Sequence, residues 1–203
     1  PSTSSAASDV YKRQVFNKES LIGVPGLFKC WKKGNVGIIN ALGTGVADDK
    51  AVYSYVNKMI VYYLGEQPKL NQVETFLCEN KVHRQHVIEN IAKLVVKPAN
   101  ASGGYGIMIG PKAPKKEREE MIKKIKKNPR DFVAQPLEIL STIPTICENG
   151  IEPRHLDLRP FILTGKTSYV TTGGLTRVAL RKGSTIVNSS QGGGSKDTMV
   201  VDA

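Results

Sequence analysis

Two lysines, two arginines and a glycine-rich loop carry most of the chemistry legible in this sequence. Lys97 ends a short apolar run, Leu94-Val95-Val96, just before Pro98 and the small-residue loop Asn100 to Gly106, which contains Gly103, Gly104 and Gly106. A cation at a strand end, beside a loop that lets backbone approach closely, fits a phosphate. Glycine takes positive φ and has no Cβ in the way, and successive exposed N–H groups make a concavity that suits anions. The same residues also fit a glycine-rich hairpin with a solvated lysine at its base. Lys50 falls in the first turn of a helical pattern, where the helix dipole disfavours a cation. It either serves a ligand or is a surface lysine neutralised by Asp48 and Asp49.

Residues 154–164, RHLDLRPFILT, alternate, so His155, Asp157 and Arg159 share one face of a strand and Leu156 and Leu158 the other. They line a cleft, or they form a surface strand whose ion pair is worth little. Arg177 stands between apolar neighbours in TTGGLTRVAL. Gly165-Lys166-Thr167 does not complete a Walker loop, because position 160 is proline where that motif needs glycine. It reads as a hairpin turn into Ser168 to Thr172. His83 and His86, three apart on a helical face, are two ligands of a metal or simply polar surface residues.

Positioning these groups calls for alternating helices and strands. Residues 1–14, PSTSSAASDVYKRQ, lack any apolar period and read as a non-native or disordered leader. Leu21 to Trp31 predicts a turn and a short helix, and Val36 to Leu42 a buried strand. Asp48 is the expected N-cap of a helix from Asp49 to Leu64, on which Val52, Tyr55, Val56, Met59, Ile60 and Tyr63 recur at helical spacing. A second helix over Val82 to Lys93 leads into the Leu94 strand, and Ile107 to Ile109 is a further apolar run. Phe132 to Pro136 and Thr171 to Leu180 predict strands. Ile186 to Asp197, IVNSSQGGGSKD, predicts a strand end followed by a polar glycine loop, which covers a ligand or forms a tail.

With 203 residues the chain has room for one good core or two small ones. No apolar run nears the ~20 residues of a membrane-spanning helix, so no membrane partner is expected. Three scattered cysteines argue against a disulfide framework and for a reducing, cytoplasmic setting. Lysine and arginine total 29 against 18 acids, a net +11, which raises nucleic acid as a partner. The densest basic run, Lys112 to Arg130, also holds Glu117, Glu119 and Glu120 early in its helical pattern, in line with the dipole. It lacks the interleaved aromatics of a single-strand binder. A solvated helix face explains it better.

Six segments in order, GTGVADDKAV, LVVKPANASGGYG, AQP, HLDLRPFIL, GGLTRVAL and NSSQGGGSKD, together resemble the circularly permuted ATP-grasp family, type 2, which is similar to glutathionylspermidine synthase-like ligases. The resemblance runs from about Phe16 to Val200. It implies an α+β fold in which two mixed subdomains with antiparallel sheets flank a nucleotide cleft. The helical part would span residues 15–93, a small sheet subdomain 94–136, and an antiparallel sheet with the two arginines 137–203.

The resemblance also implies roles. Lys97 and Lys50 would face the nucleotide, and Ser102, Gly103, Gly104, Tyr105 and Gly106 would close over its phosphates. Gln135 would belong to the hinge beside the adenine. Arg159 and Arg177 would face the γ-phosphate or the acyl-phosphate formed from it, since a guanidinium fork matches phosphate oxygens. The implied activity joins a carboxylate and an amine at the expense of ATP and Mg²⁺. The family's metal-binding carboxylates and asparagine lie upstream of the matching segments, leaving Asp157 and Asn188 as the metal candidates here. The chain would then be a fragment, active or inactive as it stands. A non-catalytic nucleotide-binding scaffold of the same shape is the alternative within the family.

Overall fold

The computed structural model describes residues 26–39, 44–101, 105–185, 187 and 193–201. The chain divides at Leu137/Glu138 into two compact units. In the first, helices α1 (Leu27–Lys32), α2 (Lys50–Tyr53), α3 (Val56–Leu64), α4 (Lys81–Asn90) and α5 (Lys115–Lys127) accompany strands β1 (Phe76–Leu77), β2 (Leu94–Pro98), β3 (Met108–Ile109) and β4 (Phe132–Pro136). The strands form one antiparallel sheet in the order β1-β4-β2-β3.

The period-two alternation of β2 divides this sheet into a core face and a working face. Residues paired across strands share a face. Val96 pairs with Ala134 and Met108, and Phe76 also pairs with Ala134. Val96, Ala134 and Met108 pack with Val87 and Ile91 at the end of α4 and with Met121 and Ile125 of α5 in one buried cluster, and the partly buried Phe76 packs against it. Met121 and Ile125 are four apart, so α5 turns one apolar stripe inward while its lysines stay in water. Removing Ile125 from water contributes about 1.5–3 kcal/mol. The opposite face carries Val95, Lys97, Val133, Gln135 and Leu77.

Several expected boundaries differ. Val36–Ile39 is not a strand, and Ile39 is exposed; residues 40–42 lie outside those described. The single helix expected over 49–64 is two. Ser54 N and Tyr55 N bond back three residues, to Ala51 O and Val52 O, and Ser54 Oγ also donates to Ala51 O (2.8 Å), which tightens the chain between α2 and α3. Asp49, not Asp48, is the N-cap; it accepts from Ala51 N at 2.8 Å, while Asp48 ends a preceding 3-10 turn. Tyr55, Val56 and Tyr63 remain exposed.

The second unit is an antiparallel sheet in the order β5-β6-β7-β8, made of β5 (Thr142–Cys147), β6 (Gly150–Thr164), β7 (Ser168–Ala179) and β8 (Gly193–Met199). Gly165–Thr167 forms the turn between β6 and β7, closed by Gly165 N donating to Thr167 O at 3.0 Å. The expected glycine loop is partly wrong: Gly193 to Asp197 belongs to edge strand β8, where the ladder with β7 satisfies its backbone. Cross-strand partners outweigh poor strand propensity there. Leu158, on the apolar face of the alternating strand, is exposed, although its cross-strand neighbour Thr176 is buried.

Candidate functional site

On the working face of the first sheet, Lys97 Nζ donates to Gln135 Oε1 at 2.6 Å and Gln135 Nε2 donates to Thr75 Oγ1 at 2.8 Å. The pairing of Val95 with Gln135 and Lys97 with Val133 places Lys97 and Gln135 diagonally on adjacent strands. Burial, and then the nearby charge of Lys50, hold the Lys97 ammonium below the ordinary lysine value.

Lys50 is brought to the same place from α2. Its backbone N donates to Ala99 O at 2.8 Å, and Ala99 N donates to Asp131 O at 2.8 Å. Its Nζ donates to Ala101 O at 2.5 Å. Arg130 Nη2 donates to Asp49 Oδ2 at 2.8 Å, so residues 49–50, 99–101 and 130–131 are tied together around Lys50. Burial lowers the Lys50 pKa, and Asp49 opposes that shift. Burial alone would raise the Asp49 carboxyl, but the Arg130 and Ala51 hydrogen bonds with the Arg130 and Lys50 charges hold it below its ordinary value. Two half-buried cations near one another, each bonded only to neutral oxygens at its Nζ among the described hydrogen bonds, make a place that favours an anion.

Of the predicted loop, Ser102, Gly103 and Gly104 lie outside the described residues. Tyr105 is exposed, and Gly106 adopts φ 72° with Pro98 Cγ only 3.0 Å from where a Cβ would stand. Glycine is required at that turn.

The second unit gathers its own charged face. Asp157 pairs with Arg177, and Arg159 pairs with Leu175, which in turn pairs with Asp197. Asp157, Arg159, Arg177 and Asp197 therefore share one face of the sheet. Arg177 Nε donates to Asp157 Oδ1 and Oδ2 at 3.0 and 3.1 Å, and Nη2 also donates to Oδ2. Asp157 thus meets a guanidinium fork rather than standing open to a cation, and Asn188, the other metal candidate, lies outside the described residues. Among the described residues no three carboxylate, histidine or cysteine side chains cluster as metal ligands.

The histidines are accounted for by structure. His83 Nδ1 accepts from Leu77 N at 3.2 Å, so it carries no proton there, and His86 lies against the Phe76 ring at 4.6 Å. His155 Nδ1 meets Leu140 O at 2.7 Å; a carbonyl only accepts, so this nitrogen carries the hydrogen. Thr75, the Asp49–Arg130 pair and Asp197 went unread in the sequence. Thr75 and Gln135 are 60 positions apart, and Asp49 and Arg130 are 81 apart, so no local pattern announces either contact.

The model of the circularly permuted ATP-grasp family, type 2, matches residues 6–179, and the chain belongs to that family. An uncharacterized protein of Synechocystis sp. is 53% identical over 194 residues, covering 95% of this chain and 40% of the relative. An uncharacterized protein of Mycobacterium tuberculosis is 50% identical over 187 residues, covering 92% of this chain and 34% of the relative. A Frankia casuarinae protein named "Putative glutamate--cysteine ligase 2-2" is 48% identical over 179 residues, covering 88% of this chain and 21% of its own length. The chain thus spans well under half the length of these relatives. No described helix is long and apolar enough to cross a membrane.

Proposed function

We propose that this chain is the ATP-binding part of an ATP-dependent carboxylate–amine ligase acting in the cytoplasm. The observation that carries the reading is the convergence of Lys50 and Lys97, two half-buried cations, with no described carboxylate bonded to either Nζ. Family membership and the name of the Frankia relative support a ligase. In this reading Lys97 and Lys50 neutralise the phosphates of ATP, and Ser102 to Gly106 close over them. Gln135 lies beside the adenine. Arg159 and Arg177 meet the γ-phosphate, with Asp157 holding the Arg177 fork in orientation.

A substrate carboxylate oxygen attacks the γ-phosphorus, the bond to the β-phosphate oxygen breaks, and ADP leaves. An amine then attacks the acyl carbon of the resulting acyl-phosphate, forming the amide as phosphate departs with the loss of one proton. The protein's contribution is positioning and charge neutralisation. Mg²⁺, when bound with the nucleotide, would supply further charge neutralisation at the phosphates; of the two metal candidates, Asp157 is engaged by Arg177 and Asn188 lies outside the described residues. The described residues do not make a cage for it by themselves.

Calorimetric titration of Mg-ATP into the chain and into its Lys97→Ala variant tests the site. Saturable binding that disappears in the variant supports the reading. A folded chain that ignores Mg-ATP, both alone and when extended to the length of its Synechocystis relative, would show it to be wrong. With that longer chain, ADP release that needs both an acid and an amine identifies the ligase.

A further inference from the structure

Four groups in the first unit form a directional chain. Thr75 Oγ1 donates to Val73 O at 3.0 Å, accepts from Gln135 Nε2 at 2.8 Å, and leaves Gln135 Oε1 to accept from Lys97 Nζ at 2.6 Å. Each link fixes the next. A hydroxyl has one hydrogen, and here the Val73 carbonyl, which can only accept, takes it. Thr75 Oγ1 then offers Gln135 only lone pairs, so the amide must turn its NH₂ toward Thr75. Its carbonyl is thereby aimed at Lys97. With the amide reversed, an NH₂ group would face an ammonium, donor against donor, and the Thr75 hydroxyl would have to abandon Val73.

We propose that Thr75 is a positioning residue that acts through Gln135, setting the amide so that Lys97 is held extended across the sheet face for an anionic ligand. The ligand class is that of the nucleotide phosphates, so this inference deepens the reading above and rests on it for the identity of the anion. It does not rest on it for the relay. Lys50 is the charged group that bears on Lys97, and its described hydrogen bonds go to Ala99 and Ala101 rather than to Thr75.

Two measurements on the full chain separate the relay from the nucleotide site. The first is the rate at which an amine-acylating reagent labels Lys97, read by mass spectrometry without nucleotide at about pH 8. The second is Mg-ATP titration. Thr75→Val keeps shape and loses the hydroxyl; it is expected to speed Lys97 labelling and weaken Mg-ATP binding, each by about three- to tenfold, the worth of one hydrogen bond. Thr75→Ser restores both. Gln135→Glu places a carboxylate against Lys97, which favours its charged form and slows labelling below wild type. Labelling of Lys97 that is unchanged in Thr75→Val overturns the relay, as does loss of effect in Gln135→Glu. Labelling that responds as expected in a chain that binds no Mg-ATP keeps the relay and removes the nucleotide reading.

Discussion

Arg177 on β7 lies directly across from Asp157 on β6, and its guanidinium grips the carboxylate through Nε and Nη2 together. Both side chains are about three-quarters shielded, with relative exposures of 22% and 27%. A lysine offers a point charge in place of this fork. Arg177→Lys is therefore expected to cost about 1 kcal/mol, and Asp157→Ala about 2 kcal/mol because it strands a partly buried cation. Urea denaturation of the chain measures both.

Lys50 and Lys97 set a pH dependence. Burial lowers both ammonium groups, and for Lys97 the charge of Lys50 adds to it. Mg-ATP affinity is thus expected to hold through neutrality and to fall on the alkaline side before ordinary lysines titrate. The unfolded chain binds more protons at these sites, so stability rises with pH across the same alkaline window. Lys97→Met removes the burial cost, so it should leave the fold at neutral pH as stable or up to about 1 kcal/mol more so, while abolishing binding.

The two glycines flanking β3 differ in kind. At Gly110 a Cβ would stand 1.9 Å from Ile91 O and 2.6 Å from Leu94 O, both backbone atoms that cannot swing away. Gly110→Ala is expected to cost about 3 kcal/mol or more. Gly106→Ala meets a positive φ and a proline ring carbon at 3.0 Å, and should cost about 1–2 kcal/mol. Thermal unfolding of the two variants gives the ordering.

Asp49 joins a helix cap to an ion pair with Arg130, whose side chain is 53% exposed. The exposed pair contributes little, so Asp49→Asn, which still caps, should cost under about 1 kcal/mol and Asp49→Ala about 1–2 kcal/mol. Because the folded carboxyl titrates below its ordinary value, its contribution is present at neutral pH and is lost as pH falls below about 4. Melting curves between neutral and acid pH should show wild type losing more stability than Asp49→Asn.

Periodicity and composition within a few residues were enough to locate the strand that carries Lys97, the basic helix, the turn at Gly165, and the alternating strand with Asp157 and Arg159. Each depends on side-chain spacing along one element, which is local information. The inward stripe of Met121 and Ile125 on the basic helix emerged only from the fold. Val36–Ile39 failed because a short apolar run states hydrophobicity without stating pairing. The stretch from Gly193 failed because an edge strand is made by its neighbour, not by its own residues.

The types and spacing of residues alone determined that Lys50, Lys97, Arg159 and Arg177 are present, that a glycine loop follows Lys97, and which family their order resembles. Tertiary structure decided what these groups touch. Only pairing of β2 with β4 puts Gln135 beside Lys97, and only the return of residues 130–131 to Ala99 and Asp49 fixes Lys50. Hydrogen bonds between side chains 38 to 81 positions apart depend on where folding brings separate elements, and no window of sequence contains both ends.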